Sequence, residues 1–220
     1  MDIFDIIGPV MVGPSSSHTA GAVRIGFVSR KLLGEDVKRA EILLYGSFLM
    51  TGKGHGTDKS LVAGLMLMSP DDTRIPASFE IAKERGMEIT FGKADLRDAH
   101  PNSVNLILTG VTGKTIDIVA SSLGGGRIRI NRIDGIEANF CGDYPTLVVR
   151  NHDTPGCMAK ITSLLSRCNV NIATMQLYRS SRGGEAVAVF ECDSEIEHDS
   201  IEWLESQEDI IKVTYLSLDD

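Results

Sequence analysis

The sequence has no apolar run long enough to span a membrane, and its first residues, Met1-Asp2-Ile3-Phe4-Asp5, are acidic rather than signal-like. Basic residues are outnumbered, with 22 Lys and Arg against 30 Asp and Glu and a formal net charge of −8. This charge disfavours nonspecific binding of nucleic acid or of an anionic membrane. We therefore expect no membrane and no nucleic-acid partner, with a cytoplasmic location as the default.

The sequence also has few cysteines and lacks the common nucleotide-binding motifs. The four cysteines (Cys141, Cys157, Cys168 and Cys192) form no C-x-x-C pair, whereas metal sites usually take two ligands from one tight turn. We expect small buried thiols in a reducing compartment and no metal ligand in this chain. No G-x-G-x-x-G follows a predicted strand, and Leu108 stands where a P-loop ending in Gly113-Lys114-Thr115 would need glycine.

A run of hydroxyl side chains is the most informative feature that is present, at Gly13-Pro14-Ser15-Ser16-Ser17-His18-Thr19-Ala20-Gly21. It precedes an apolar pattern of helical spacing that ends at Gly34. A helix N-terminus favours an anion, and a helix cap needs one hydroxyl rather than four beside a histidine. We predict that Ser15, Ser16, Ser17, His18 and Thr19 hold a carboxylate. A nucleophilic serine is disfavoured, since sequence neighbours rarely share a catalytic triad.

The periodicities predict an α+β fold in two domains, 1–142 and 146–220, with a linker near 141–145. In the first domain, strands are predicted at 40–45, 104–108, 115–120 and 127–131, and further helices at 58–68 and 76–85. In the second, strands at 146–150, 170–178, 186–192 and 210–216 alternate with helices at 158–168 and 200–205. That order is βαββαβ, the ferredoxin-like unit.

The second domain resembles an ACT domain, a regulatory module of amino-acid metabolism, in Asn151, Asp153, Pro155, Gly156 and Asn169-Val170-Asn171-Ile172. The resemblance implies self-association and an amino-acid effector site at Asn151, Asp153, Pro155 and Gly156. A corner that exposes N–H groups at a helix N-terminus suits a carboxylate. Two alternatives stay open: these residues only form a turn, or the domain only oligomerises. His152 lies in the same turn, and contact with an effector and plain solvent exposure are both open for it.

The first domain resembles the β chain, or β domain, of the iron–sulfur L-serine dehydratases and their allosteric-substrate-binding-like fold. The shared blocks are Gly13 to Thr19, Tyr45-Gly46-Ser47 with Thr51 to Lys59, Gly124-Gly125-Gly126 and, more weakly, His100-Pro101-Asn102. The resemblance implies β-elimination of water from L-serine, giving pyruvate and ammonia. It also implies an α-chain partner that holds a [4Fe–4S] cluster. The hydroxyl run would then bind the carboxylate of the substrate or of a regulatory L-serine.

His55, in Gly52-Lys53-Gly54-His55-Gly56, is the catalytic residue that the resemblance implies, at the interface with the α chain. Its three glycines predict a mobile loop, and a neutral imidazole accepts a proton near pH 7. A surface histidine without a role is the alternative. The neighbours expected to order the loop or meet the substrate carboxylate are Lys53, Thr57, Asp58 and Lys59.

The first domain also resembles the substrate-regulatory domain of some 3-phosphoglycerate dehydrogenases. This second resemblance implies a different function, an allosteric L-serine-binding module with no catalytic residue. A purely structural adaptor is the third hypothesis. His100 and His198 show no ligand-type spacing and are expected at the surface or in caps. No residue demands the monovalent cation that the resemblance allows.

Overall fold

A computed structural model describes residues 10–217 of the chain, which forms two compact units that divide between Gly135 and Ile136. In the first unit the helices are α1 (Gly21–Leu33), α2 (Gly46–His55), α3 (Thr57–Leu65) and α4 (Ser78–Glu84), with a π-helical turn at Ser16–Ala20 and a 3-10 turn at Ile75–Ala77. The strands there are β1 (Val37–Tyr45), β2 (Glu88–Lys93), β3 (Asn102–Gly110), β4 (Thr115–Gly124) and β5 (Arg127–Ile133).

The strands of the first unit are hydrogen-bonded in the order β2-β1-β3-β4-β5. Neighbours are antiparallel except for β1 and β2, which run parallel because α2, α3 and α4 connect them. The strand that was not anticipated, β2, lies at the sheet edge and buries little of its surface, so its apolar pattern is weak. The predicted α+β class is confirmed.

Helices α1 and α3 cross at unusually close range because each has a glycine at the crossing. A Cβ built on Gly26 would lie 2.3 Å from the carbonyl oxygen of Leu61, and one on Gly64 would lie 2.0 Å from that of Val23. Neither position accepts a side chain without moving backbone. The helix pair packs its apolar residues into the core, where Ile25, Leu61 and Leu65 are buried. Helix α1 ends at Gly34, the predicted stop, whose φ of 81° is left-handed.

The second unit begins with β6 (Ile136–Phe140) and continues with β7 (Thr146–His152), α5 (Cys157–Arg167), β8 (Ile172–Arg179), β9 (Glu185–Cys192), α6 (His198–Glu205) and β10 (Ile210–Leu216). The four strands after β6 are antiparallel in the order β10-β7-β9-β8, and α5 and α6 supply Ile161, Leu165 and Leu204 to their core. This is the predicted ferredoxin-like βαββαβ topology, and it is confirmed.

One local prediction is wrong: residues 52–55 are helical rather than a loop. They form the last turn of α2, and Gly56 (φ 70°) ends the helix by donating its N–H to the carbonyl of Gly52. Alternating glycines weaken the helical pattern without abolishing the helix.

Strand β6 is not predicted from the sequence, and it places the division between the compact units ahead of the predicted linker. The domain boundaries 1–142 and 146–220 stay a prediction. Within residues 10–217, no helix is long and apolar enough to cross a membrane.

Candidate active site

The blocks singled out in the first domain come together in the folded first unit. The hydroxyl run meets α2 through His18, whose Nε2 lies 3.2 Å from Ser47 Oγ and 3.1 Å from Thr51 Oγ1. It meets the glycine turn between β4 and β5 through Ser16, whose Oγ accepts a hydrogen bond from the Gly125 N–H at 3.3 Å. Segments far apart in the sequence therefore build one site.

The hydroxyl run begins as a helix cap and continues as a π-helical turn into α1. Ser15 is the N-cap residue, and its Oγ accepts the His18 N–H at 3.3 Å. One of the hydroxyls thus has the ordinary capping role. The start of α1 lies close to β4: a Cβ built on Gly21 would be 2.1 Å from Ser122 Oγ, so the absence of a side chain there permits the approach. This close approach places Ser16 at the glycine turn.

His18 is the buried centre of the site. Its side chain is held on both ring nitrogens, since Nδ1 lies 3.2 Å from Ser17 Oγ and 3.4 Å from Ser15 Oγ. Its ring packs edge-on against Phe48, with the centroids 5.3 Å apart. Burial, reinforced by the neighbouring His55, lowers the pKa of His18 from the usual value of 6.5. A neutral His18 is therefore favoured at neutral pH.

His55 is exposed on the last turn of α2, with its ring centroid 5.0 Å from that of His18. Its Nδ1 lies 3.2 Å from the carbonyl oxygen of Thr51, one helical turn earlier. The imidazole is thus accessible to a small molecule and also held by the helix that carries Ser47 and Thr51. These features suit a group that must take a proton from a ligand.

The weaker fourth block positions the start of α2. The carbonyl of Pro101 accepts the Ser47 N–H at 2.7 Å, and a Cβ on Gly46 would lie 2.4 Å from that same oxygen. Gly46 has a φ of 55°, so the helix begins in a conformation and at a distance that favour glycine. His100 caps this turn, with Nδ1 accepting the Asn102 N–H at 3.2 Å. This is one of the two positions, surface or cap, that the sequence predicts for His100.

The residues after His55 support the local structure. Lys59 donates from Nζ to the carbonyl of Pro76 at 2.7 Å, which ties α3 to the 3-10 turn. Asp58 accepts the Lys59 N–H at 2.9 Å, and Thr57 is fully buried. Lys53 lies in α2, and its side chain is outside the described part of the chain. Thr19 is buried as well, packed against Gly13.

Sequence reasoning assigned no role to Ser47 or Thr51, although both lie in the quoted blocks. Their spacing of four residues places both hydroxyls on one helix face. The sequence does not reveal this shared face, because it predicts the end of a strand followed by a loop rather than a helix. The structure shows both hydroxyls within hydrogen-bonding distance of His18.

In the second unit, the predicted effector residues surround the turn between β7 and α5. Asp153 Oδ2 accepts the Gly183 N–H at 3.0 Å and lies 3.5 Å from Arg179 Nη1, so it holds the β8–β9 hairpin. Asn151 is buried, and its Oδ1 has no hydrogen-bond partner among the described residues. Pro155 and Gly156 are exposed at the start of α5. His152 is exposed, and His198 pairs with Glu202 on α6.

An iron–sulfur cluster is held by several cysteine side chains that lie close together. Burial raises the pKa of Cys141 to about 12 and those of Cys157 and Cys192 to about 11. Cys157 and Cys192 are buried as expected, while Cys141 and Cys168 are partly exposed. Among residues 10–217, no group of three or more His, Cys, Asp or Glu side chains is arranged to hold a metal ion.

Comparison with known proteins identifies a family whose model matches this chain. The model of the family described as "Serine dehydratase beta chain" matches residues 1–132. The chain is 37% identical over 215 residues to the "Probable L-serine dehydratase, beta chain" of Bacillus subtilis, covering 98% of this chain and 97% of that protein. It is 41% identical over 173 residues to the "L-serine dehydratase, beta chain" of Peptoniphilus asaccharolyticus, covering 78% of each chain.

Two further similarities concern other proteins. A D-3-phosphoglycerate dehydrogenase of Bacillus subtilis is 26% identical over 201 residues, which cover 90% of this chain and 37% of that protein. Among solved structures, the ACT domain of GTP pyrophosphokinase from Chlorobium tepidum matches 33% of this chain and 95% of that chain, with 18% identity and a TM-score of 0.28.

Proposed function

The chain belongs to the serine dehydratase beta chain family, and on that premise we propose that it is the β subunit of a heteromeric L-serine dehydratase whose first unit supplies part of the active site. The reaction is β-elimination of water from L-serine, followed by hydrolysis to pyruvate and ammonia. The observation that carries the proposal is the exposed imidazole of His55, 5.0 Å between ring centroids from the buried His18 and its hydroxyl partners.

The hydroxyl run is the proposed binding site for the substrate carboxylate. Ser16 uses a lone pair to accept the Gly125 N–H, which leaves its own proton available for a carboxylate oxygen. Ser15, Ser17 and His18 hold one another and shape the surface of this site. Thr19 and Thr57 are buried and support it, as do Asp58 and Lys59 through their hydrogen bonds.

His55 is the proposed catalytic base. Its imidazole takes the Cα proton of L-serine, the β-hydroxyl leaves, and a carbon–carbon double bond forms to give 2-aminoacrylate. This enamine tautomerises to an imine, which water hydrolyses to pyruvate and ammonia. A positioned general base typically contributes about 10²- to 10⁴-fold to the rate.

The [4Fe–4S] cluster of the proposed enzyme belongs to the α chain. The wide spacing of the four cysteines, without a C-x-x-C pair, supports that division. Departure of the β-hydroxyl is accordingly assigned to the partner chain, and no residue described here assists it. The proposal retains the cytoplasmic location expected for such a metabolic enzyme.

The test is anaerobic pyruvate formation from L-serine by this chain alone, by the α chain alone and by the mixture. Activity in the mixture alone supports the proposal. In the mixture, His55→Gln is expected to lower kcat at least about 100-fold. His198→Gln is the matched control, because that histidine is exposed and pairs only locally with Glu202. Full turnover with His55→Gln would contradict the catalytic assignment.

The second unit is the proposed regulatory part, which senses an amino acid at Asn151, Asp153, Pro155 and Gly156 and self-associates. A carboxylate would be met by N–H groups at the start of α5, and an ammonium group by Asp153. Asn151 Oδ1 is buried without a hydrogen-bond partner among the described residues, which leaves an acceptor to be satisfied.

A second candidate function is favoured by the similarity to a D-3-phosphoglycerate dehydrogenase over 90% of this chain. A module that accompanies a different reaction suits a purely regulatory L-serine-binding role without a catalytic residue. Pyruvate formation by the α chain alone, merely modulated by this chain, would decide for this function. L-Serine binding by the isolated chain fits either function, and kcat of His55→Gln separates them.

A further inference from the structure

Thr51 lies between the two histidines of the candidate site and contacts both. Its hydroxyl is 3.1 Å from His18 Nε2, and its carbonyl oxygen is 3.2 Å from His55 Nδ1. A neutral imidazole carries one proton, and which nitrogen holds it decides which nitrogen can act as a base. The contacts of Thr51 therefore bear directly on the chemistry of both rings.

The contact with His55 has one chemical solution. A backbone carbonyl oxygen only accepts hydrogen bonds, so Nδ1 of His55 must carry the proton and donate it to Thr51. The lone pair then resides on Nε2. In this state His55 presents Nε2 as its basic nitrogen.

The contact with His18 is assigned by placing the single hydroxyl proton of Thr51. We give that proton to the shortest contact of Oγ1, the carbonyl of Ser47 at 2.9 Å, ahead of His18 Nε2 at 3.1 Å and Ser47 Oγ at 3.4 Å. Toward His18 the same oxygen can then only accept, so Nε2 of His18 carries the ring proton. Nδ1 of His18 is left as an acceptor, and Ser17 donates to it at 3.2 Å.

We infer that Thr51 is a positioning residue that fixes opposite tautomers in the two histidines, Nε2–H in His18 and Nδ1–H in His55. The hydroxyl of Ser17 is thereby committed to His18, and Nε2 of His55 is kept basic. Thr51 acts through the two rings and does not itself take a proton from substrate. The kinetic prediction rests on the proposed function, whereas the two tautomers are properties of this chain and do not depend on it.

Thr51→Val removes the hydroxyl while keeping the shape and the backbone carbonyl. Ser47 Oγ is still 3.2 Å from His18 Nε2, and its hydroxyl can donate a hydrogen bond to that nitrogen. We expect the Nδ1–H tautomer of His18 to become populated in this variant. His55 keeps its tautomer, because the carbonyl of residue 51 is unchanged, and it serves as an internal reference.

Thr162→Val is the matched control. Thr162 Oγ1 donates to the carbonyl of Met158 at 2.9 Å, which is the same bond to the preceding helical turn that Thr51 makes to Ser47. Thr162 lies on α5 in the second unit, so its loss reproduces the helical effect without touching either histidine of the site. Thr51→Ser retains the hydroxyl and should restore the wild-type behaviour.

The first readout is the pair of imidazole ¹⁵N resonances of His18 and His55 in the full chain, assigned with His18→Gln and His55→Gln. The wild type, Thr51→Ser and Thr162→Val should show His18 as Nε2–H, and Thr51→Val should show a mixture. A His18 that is Nδ1–H in the wild type, or unaltered in Thr51→Val, would overturn the inference.

The second readout is steady-state kinetics of the complex with the α chain. Thr51→Val removes the hydrogen bond between Thr51 Oγ1 and His18 Nε2, which positions the hydroxyl run that binds the substrate carboxylate. Losing roughly one net hydrogen bond should raise KM for L-serine about fivefold and lower kcat by a smaller factor. A KM equal to that of Thr162→Val would contradict the positioning role. If instead His55→Gln keeps full turnover, the proposed function fails while the tautomer result stands.

Discussion

His18 is held by hydroxyl groups at both ring nitrogens, and this gives hydroxyl side chains of the run a role beyond capping the helix. Ser15 caps the turn, Ser17 contacts Nδ1, and Ser47 and Thr51 contact Nε2. A buried polar ring must find hydrogen-bond partners or lose about 1–3 kcal/mol for each unsatisfied group. The run therefore stabilises its own histidine and offers Ser16 to a ligand.

The lowered pKa of His18 makes stability depend on pH. Because the unfolded chain binds a proton near pH 6.5 and the folded chain only at lower pH, the unfolded state holds more protons between these values. The contribution of His18 is complete above about pH 6.5 and is lost as the pH falls toward the native pKa. Acidification in this window should destabilise the first unit.

The measurement is unfolding followed by circular dichroism at several pH values for the wild type and for His18→Gln. The fall in the midpoint on acidification should be shallower in the variant, whatever its absolute stability. His152→Gln is the control, because that histidine is exposed in the second unit. Equal slopes for wild type and His18→Gln would show that His18 is not the titrating group.

At the scale of elements, the crossing of α1 and α3 sets the position of the hydroxyl run relative to α2. The two helices touch through Gly26 and Gly64, and α1 continues directly from the turn that carries His18. Helix α2 precedes α3 with only Gly56 between them. A change at the crossing is thus expected to move both parts of the candidate site.

Gly64→Ala should destabilise the chain by about 1–3 kcal/mol or more, the usual range for overpacking. The new Cβ would lie 2.0 Å from the carbonyl oxygen of Val23, which is backbone and cannot rotate away. Denaturant unfolding measures the loss. A Gly64→Ala protein as stable as the wild type would show that the helices do not cross so closely.

Gly54→Ala should have the opposite sign. Nothing lies within 4 Å of a Cβ at this position, and the residue is helical in α2. Alanine gains roughly 0.5–1 kcal/mol over glycine inside a helix, and a value near the lower end is expected in the last turn. The same unfolding experiment measures it. No gain, or a loss, would indicate that this segment is the loop the sequence suggested.

The sequence was sufficient for elements with strong periodicity and insufficient where glycine or exposure masks it. Strand β10 was predicted with its observed limits and α5 within one residue at each end, because their apolar positions recur cleanly. The sequence does not predict helix α2, because Gly52 and Gly54 dilute its apolar pattern.

The sequence indicates the blocks that form the candidate site, but neither the contacts between them nor the roles of Ser47 and Thr51. His18 and its partners Ser47 and Thr51 are separated by 29 and 33 residues, and no local pattern reports a contact over that distance. The roles of Ser16 toward Gly125 and of Thr51 toward both histidines became visible only in the folded chain.

At the scale of the whole molecule, the proposed catalytic and regulatory groups lie in different compact units. His18, His55 and the hydroxyl run belong to the first, and Asn151 and Asp153 to the second. Substitutions in the second unit should therefore alter the response to an amino acid without changing the chemistry at His55.

Asp153→Asn tests this separation, because asparagine keeps an acceptor for the Gly183 N–H while removing the negative charge. An effector ammonium would lose its charged partner, so the effector concentration for half-maximal response should rise about tenfold, as for a lost charge-assisted hydrogen bond. Pyruvate formation by the complex is measured against effector concentration, with Glu202→Gln on α6 as the control. Basal kcat should stay at the wild-type value. An unchanged response would assign the second unit to assembly alone, and a fall in basal kcat without a change in response would place Asp153 in support of turnover instead.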